Sequence, residues 1–133
     1  MAELDEVFVK EMVAHGLREF PNECCGLIAA NGDGRPVKVF PMRNADASPV
    51  TYRLDGKEQL KVFEELEEQG WDLWAIFHSH THSEAYPSET DIRLAFYPES
   101  RYVLVSLADR DNPVVRSFFI REGEVDEEAL VIA

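Results

Sequence analysis

Two histidines flanking one residue, His78 and His80, are followed after seven intervening residues by Ser88 and, after two more intervening residues, by Asp91. Imidazole, imidazole and carboxylate are a ligand set for a divalent ion, zinc first among them, with a fourth position left for water. At average residue usage this spacing arises by chance in roughly one in several thousand chains of this length. A hydrolytic site of this kind also needs a base to carry the water's proton to the leaving group. Glu23, in the run Pro21-Asn22-Glu23-Cys24-Cys25-Gly26-Leu27, is the candidate. By position alone it reads more simply as a loop acid after a helix.

The elements that must place these groups follow from apolar spacing and end signals. Val9, Met12, Val13, Gly16, Leu17 and Phe20 mark a helical face that Pro21 stops. Cys25–Ala30 is an apolar run ended by Asn31-Gly32-Asp33-Gly34, predicting a buried strand with Val37–Phe40 as its hairpin partner. Val50–Leu54 is predicted as a further strand. Asp55 with Glu58 three residues on predicts a helix start; Leu60, Phe63 and Leu66 mark its face and Gly70 its end. Leu73–Phe77 leads as a strand straight into His78. Ser88 opens another helix, with Ile92, Leu94 and Ala95 as its apolar side. Arg101–Leu107 and Val114–Arg121 are predicted strands, and a short segment follows Glu122-Gly123.

Residues two apart on a strand point the same way, which sends His78 and His80 to one face. Residues three apart on a helix are neighbours, so Ser88 and Asp91 share the first turn. Taken singly, Ser88 is an N-cap and Asp91 an acid favoured by the helix dipole, and both roles are compatible with a metal site. His82 has the same strand parity as the other two, but the loop has begun there, and it is expected at the cleft mouth. Glu84 is expected in solvent.

The chain has 133 residues, 45% of them hydrophobic and 29% charged, which fits one globular domain spanning residues 1–133. A formal charge of −13 without a basic cluster argues against a nucleic-acid partner. No apolar run approaches a membrane span, and the acidic start MAELDEVFVK is unlike a secretory signal, so a cytoplasmic location is expected. The adjacent Cys24 and Cys25 make no disulfide framework and read as small core residues in a reducing compartment.

The arrangement Glu23, His78-Ser79-His80, Ser88, Asp91, with its PNECCGL context, resembles the signature of the JAMM (MPN+) zinc metallopeptidases. The likeness covers nearly the whole chain. The segments PMRNADASPVTYRLDGKEQLKV, HSHT, EAYPSETD and YVLVSLAD resemble small bacterial members that release cysteine from a sulfur-carrier protein. The resemblance implies an α/β, cytidine-deaminase-like fold, a curved mixed β-sheet flanked by helices. It implies Zn2+ held by His78, His80 and Asp91, Glu23 as general base and Ser88 as donor to the oxyanion. The implied substrate is a ubiquitin-like carrier ending in Gly-Gly, cut after that tail during cysteine biosynthesis. Deconjugation of a ubiquitin-like modifier and a non-catalytic MPN scaffold are the alternatives, and a homodimer is left open. PHP-type phosphoesterases also begin with a His-x-His strand but need more ligands, and the only histidine left outside this segment is His15.

Overall fold

Helix-end chemistry sets the first and second helices where the pattern placed them. In the computed structural model, which describes residues 1–133, α1 runs Glu6–Glu19. The Asp5 carboxylate caps it by accepting from the Val7 N–H at 2.9 Å. Gly16 lets α1 lie close to Leu107, Cys24 and Ser79. Leu17, expected on the buried face, is exposed. The second helix, α2 (Gly56–Gln69), starts with Asp55 accepting from the Glu58 N–H at 3.2 Å and ends at Gly70 in the left-handed region, φ 69°. Its buried residues are Val62 and Leu66, while the expected Leu60 faces out.

The strands are β1 (Ala2–Leu4), β2 (Cys25–Ala30), β3 (Pro36–Met42), β4 (Asp72–His80), β5 (Arg101–Ser106), β6 (Val114–Arg121), β7 (Glu124–Glu128) and β8 (Leu130–Ile132). Six form one sheet in the order β3-β2-β4-β5-β6-β7, with β4 and β5 parallel and every other neighbour antiparallel. β1 and β8 make a separate parallel pair. On one face of the large sheet, α1 packs over Ile28, Phe77, Val103 and Leu107, joined by Leu4 from β1. On the other, α2 packs over Leu27, Ile76, Leu104 and Phe118. This is the mixed sheet flanked by helices that was expected.

One irregularity decides which face receives the histidines. Between Ile28 and Ala29 the β2–β4 register slips, leaving Trp74 as the extra residue on β4. Leu73 and Ile76 accordingly pack on the α2 side and Trp74 and Phe77 on the α1 side. Beyond the bulge the alternation is regular, and His78 and His80 follow Ile76 to the α2 face.

Three expectations change. Val50–Leu54 is not a strand; its only ladder contact is a single bridge, Asn44 to Leu54. Side chains of Asn44 and Ser48 satisfy its backbone instead, which is how such residues compete with a ladder. The helix after Ser88, α3, stops at Arg93 after five residues, and Leu94 is exposed. The segment after Gly123 forms β7 and β8. β7 reads EVDEE, a composition poor in strand formers, but Arg116 holds Glu127 at 2.6 and 2.9 Å and Arg101 holds Glu128 at 2.6 Å.

Candidate active site

The end of β4 and the first turn of α3 bring three donor atoms to one point. His78 Nε2 and His80 Nε2 stand 3.2 Å apart, and Asp91 Oδ2 lies 3.1 Å from the first and 3.0 Å from the second. The seven-residue loop is tied down at its base. The His80 Nδ1–H donates to the Glu84 carbonyl at 2.8 Å, and the Ser106 hydroxyl to the Ser83 carbonyl at 2.7 Å. Ser88 and Asp91 form a reciprocal capping box. The Ser88 N–H donates to Asp91 Oδ2 at 2.9 Å and the Asp91 N–H to Ser88 Oγ at 3.0 Å. The cap therefore orients the carboxylate toward the imidazoles.

This donor set fits a metal ion. An ion 2.0–2.1 Å from each of three tetrahedral ligands spaces those ligands about 3.3 Å apart, close to the separations here. By donating from Nδ1, neutral His80 keeps its Nε2 lone pair free and facing the common point, the usual arrangement of a ligating histidine. His78 differs. Its Nδ1 is buried without a partner, and the Tyr52 ring stacks on the imidazole at 4.2 Å and 20°.

Burial and mutual charge set the titration of the group. Burial raises an acid, yet the hydrogen bonds from both histidines hold Asp91 far below the carboxylate range. Burial lowers His78, and Asp91 only partly offsets this. Burial also works against a charged His80, but Asp91, the Glu84 carbonyl and the Glu23 charge together raise it.

Glu23 enters from β2's leading edge. Cys25 pairs with His78, and the Ser79 N–H donates to the Cys24 carbonyl at 3.1 Å; continuing that antiparallel register sets Glu23 opposite His80, on the same face. It is only 5% exposed, and Oε1 is buried without a hydrogen bond. Burial pushes its carboxyl up to about 8; the His80 charge opposes this and the Asp91 charge adds to it. The loop-acid reading thus gives way to a buried acid facing the cluster.

The other residues fall as follows. His82 is exposed, packs against Phe20 at 5.7 Å and stays out of the donor cluster. Glu84 is exposed, as expected. Cys24 and Cys25 are buried free thiols that burial raises, Cys24 to about 11, so they are packing residues here. His15 is buried elsewhere, its Nε2–H directed at the carbonyls of Met42 (2.9 Å) and Cys25 (3.2 Å). Sequence reasoning missed Tyr52 and Asn44, because the stretch carrying Tyr52 read as a strand and no spacing or motif singled out Asn44.

Residues 5–121 match the family described as prokaryotic homologs of the JAB domain. The chain belongs to that family. It is 48% identical over 121 residues to the CysO-cysteine peptidase of Mycobacterium tuberculosis, spanning 90% of this chain and 83% of that one. It is 38% identical over 125 residues to a probable TtuB-protein conjugate cleaving protease of Thermus thermophilus, covering 93% and 78%. The solution structure of a Desulfitobacterium hafniense protein superposes with a TM-score of 0.90 at 38% identity, over 100% of this chain and 93% of the other. This JAB-family chain is accordingly a hydrolase of the peptidase type.

Proposed function

We propose that this JAB-family chain is a zinc peptidase that cuts after the C-terminal Gly-Gly of a ubiquitin-like sulfur carrier and releases cysteine. The observation that carries the reading is the buried Glu23 carboxyl, free of partners, facing the His78, His80 and Asp91 donors across one sheet face. The similarity to a CysO-cysteine peptidase favours cysteine as the leaving group.

His78, His80 and Asp91 would hold the ion. When bound, it supplies Lewis acidity toward the scissile carbonyl and toward water, and its charge favours the ionised form of Glu23. Glu23 takes a proton from the attacking water at a carboxylate oxygen and hands it to the departing amine. Ser88 spends an Oγ lone pair on the Asp91 N–H, which leaves its hydroxyl hydrogen free for the developing oxyanion. Beside Asp91 lies a cleft of about 330 Å³, lined by Tyr52, Leu54, Ile76, Leu94, Phe96 and Tyr102. An extended carrier tail would lie there, its glycines presenting no side chain to the cleft near the scissile bond.

The test incubates the zinc-loaded protein with a carrier–cysteine adduct, the same adduct lacking the terminal glycines, and a carrier–protein conjugate, and follows product masses. Free cysteine from the intact adduct alone supports the reading. Cleavage of only the protein conjugate would transfer the assignment to deconjugation, and efficient cutting of the shortened adduct would defeat the glycine-tail requirement.

A further inference from the structure

We propose that Asn44 is a positioning residue, holding Glu23 and the ring that covers His78 in one frame; this rests on the reading of Glu23 as base. Asn44 lies in the connection between β3 and α2 and is 7% exposed. Its amide makes four hydrogen bonds, the ordinary capacity of the group. Nδ2 donates to the Glu23 carbonyl at 3.0 Å and to the Thr51 carbonyl at 2.9 Å. Oδ1 accepts from the Asp46 N–H at 2.9 Å and the Arg53 N–H at 3.1 Å.

Two of these bonds grip the peptide groups on either side of Tyr52, the residue stacked on His78. A third grips the peptide of Glu23. The same loop takes the other side of that residue, because the Glu23 N–H donates to the Ser48 carbonyl at 2.9 Å. Fixing the main chain matters here because no hydrogen bond holds Glu23 Oε1. His78 is held at Nε2 by Asp91, but its Nδ1 has no partner, so the stacked Tyr52 face steadies the rest of the ring. One buried amide therefore sets the base and a ligand imidazole together. A displacement of about 1 Å at such a site costs on the order of a hundredfold in rate.

Two variants test this. Asn44→Asp keeps the side chain's size and its acceptor oxygen but turns an oxygen toward the Glu23 and Thr51 carbonyls. Asn44→Ala removes all four bonds. Steady-state kinetics on the carrier–cysteine adduct, metal content and thermal melts are measured for each, and Asn44→Asp is also combined with Glu23→Gln in single-turnover assays.

The expected result is a cooperative melt, retained metal, and kcat lowered about 10- to 100-fold with KM within about threefold. In the Glu23→Gln background Asn44→Asp should lower residual turnover far less, since the base it positions is already gone. A folded Asn44→Asp protein with unchanged kcat, or an equal loss in both backgrounds, overturns the proposal. So does failure of both variants to fold, which would make the role purely structural. Full activity of Glu23→Gln alone would instead remove the base assignment on which this inference stands.

Discussion

Replacing Glu23 by glutamine should stabilise the metal-free protein at alkaline pH and leave it unchanged at acid pH. Burial raises the Glu23 carboxyl from 4.5 to about 8, so across that window the folded chain keeps a proton that the unfolded chain has released. A raised folded-state pKa contributes stability that is complete below pH 4.5 and is lost as pH climbs through about 8. The loss approaches about 1.4 kcal/mol for each pH unit inside the window and flattens at its two ends, which makes about 3.5 kcal/mol between roughly pH 5 and pH 8. Glutamine has nearly the same shape and no proton to lose. For a chain of this size, about 3.5 kcal/mol corresponds to about 10 °C in Tm.

Calorimetric melts of chelator-treated wild type and Glu23→Gln at both pH values give the answer. Titrating groups remote from Glu23 are common to the two proteins and cancel in the difference, while His80, coupled to the Glu23 charge, cancels only in part. The curves should meet near pH 5 and separate by about 10 °C near pH 8, the variant being the more stable. Added zinc should narrow the gap, because a nearby cation compensates the carboxylate. Parallel curves would mean that Glu23 is solvated or already paired in the folded state, and would refute the burial argument.

Three other substitutions probe separate parts of the site and the sheet. Asp91→Ala removes the oxygen on which both imidazoles and the Ser88 N–H converge, so zinc content by elemental analysis should fall to a minor fraction; full occupancy would exclude ligation by Asp91. Ser88→Ala should cost about 1 kcal/mol of stability as a lost cap, and roughly two to three orders of magnitude in kcat as a lost oxyanion donor; a rate change in line with the cap alone would leave Ser88 a structural residue. Gly26→Ala would drive a methyl group into the Phe40 carbonyl oxygen and the Phe77 ring, both fixed in the sheet, so a loss of several kcal/mol in urea melts is expected, and a near-native midpoint would contradict the packing.

Local chemistry made much of this protein legible from its residues. Asp55 and Gly70 bound α2 because caps depend on neighbours within one turn. The pairing of His78 with His80, and of Ser88 with Asp91, follows from strand and helix periodicity. The donor cluster could therefore be anticipated as two half-sites. Composition alone would not have predicted β7, since an acidic segment becomes a strand only once Arg116 and Arg101 are beside it.

What remained for the tertiary structure was every relation between distant segments. Glu23 stands 55 positions before His78, and its own neighbours describe a loop acid; sheet register sets it opposite His80, and burial changes its proton affinity. The bulge at Trp74 chooses the face that His78 and His80 share, and neither flank announces it. Asn44 and Tyr52 lie in a stretch without periodicity, where side-chain hydrogen bonds replaced the expected ladder. Types and spacings specify what each short segment can do. The face a segment presents, and the group it meets there, are chosen by packing and pairing summed over the whole chain.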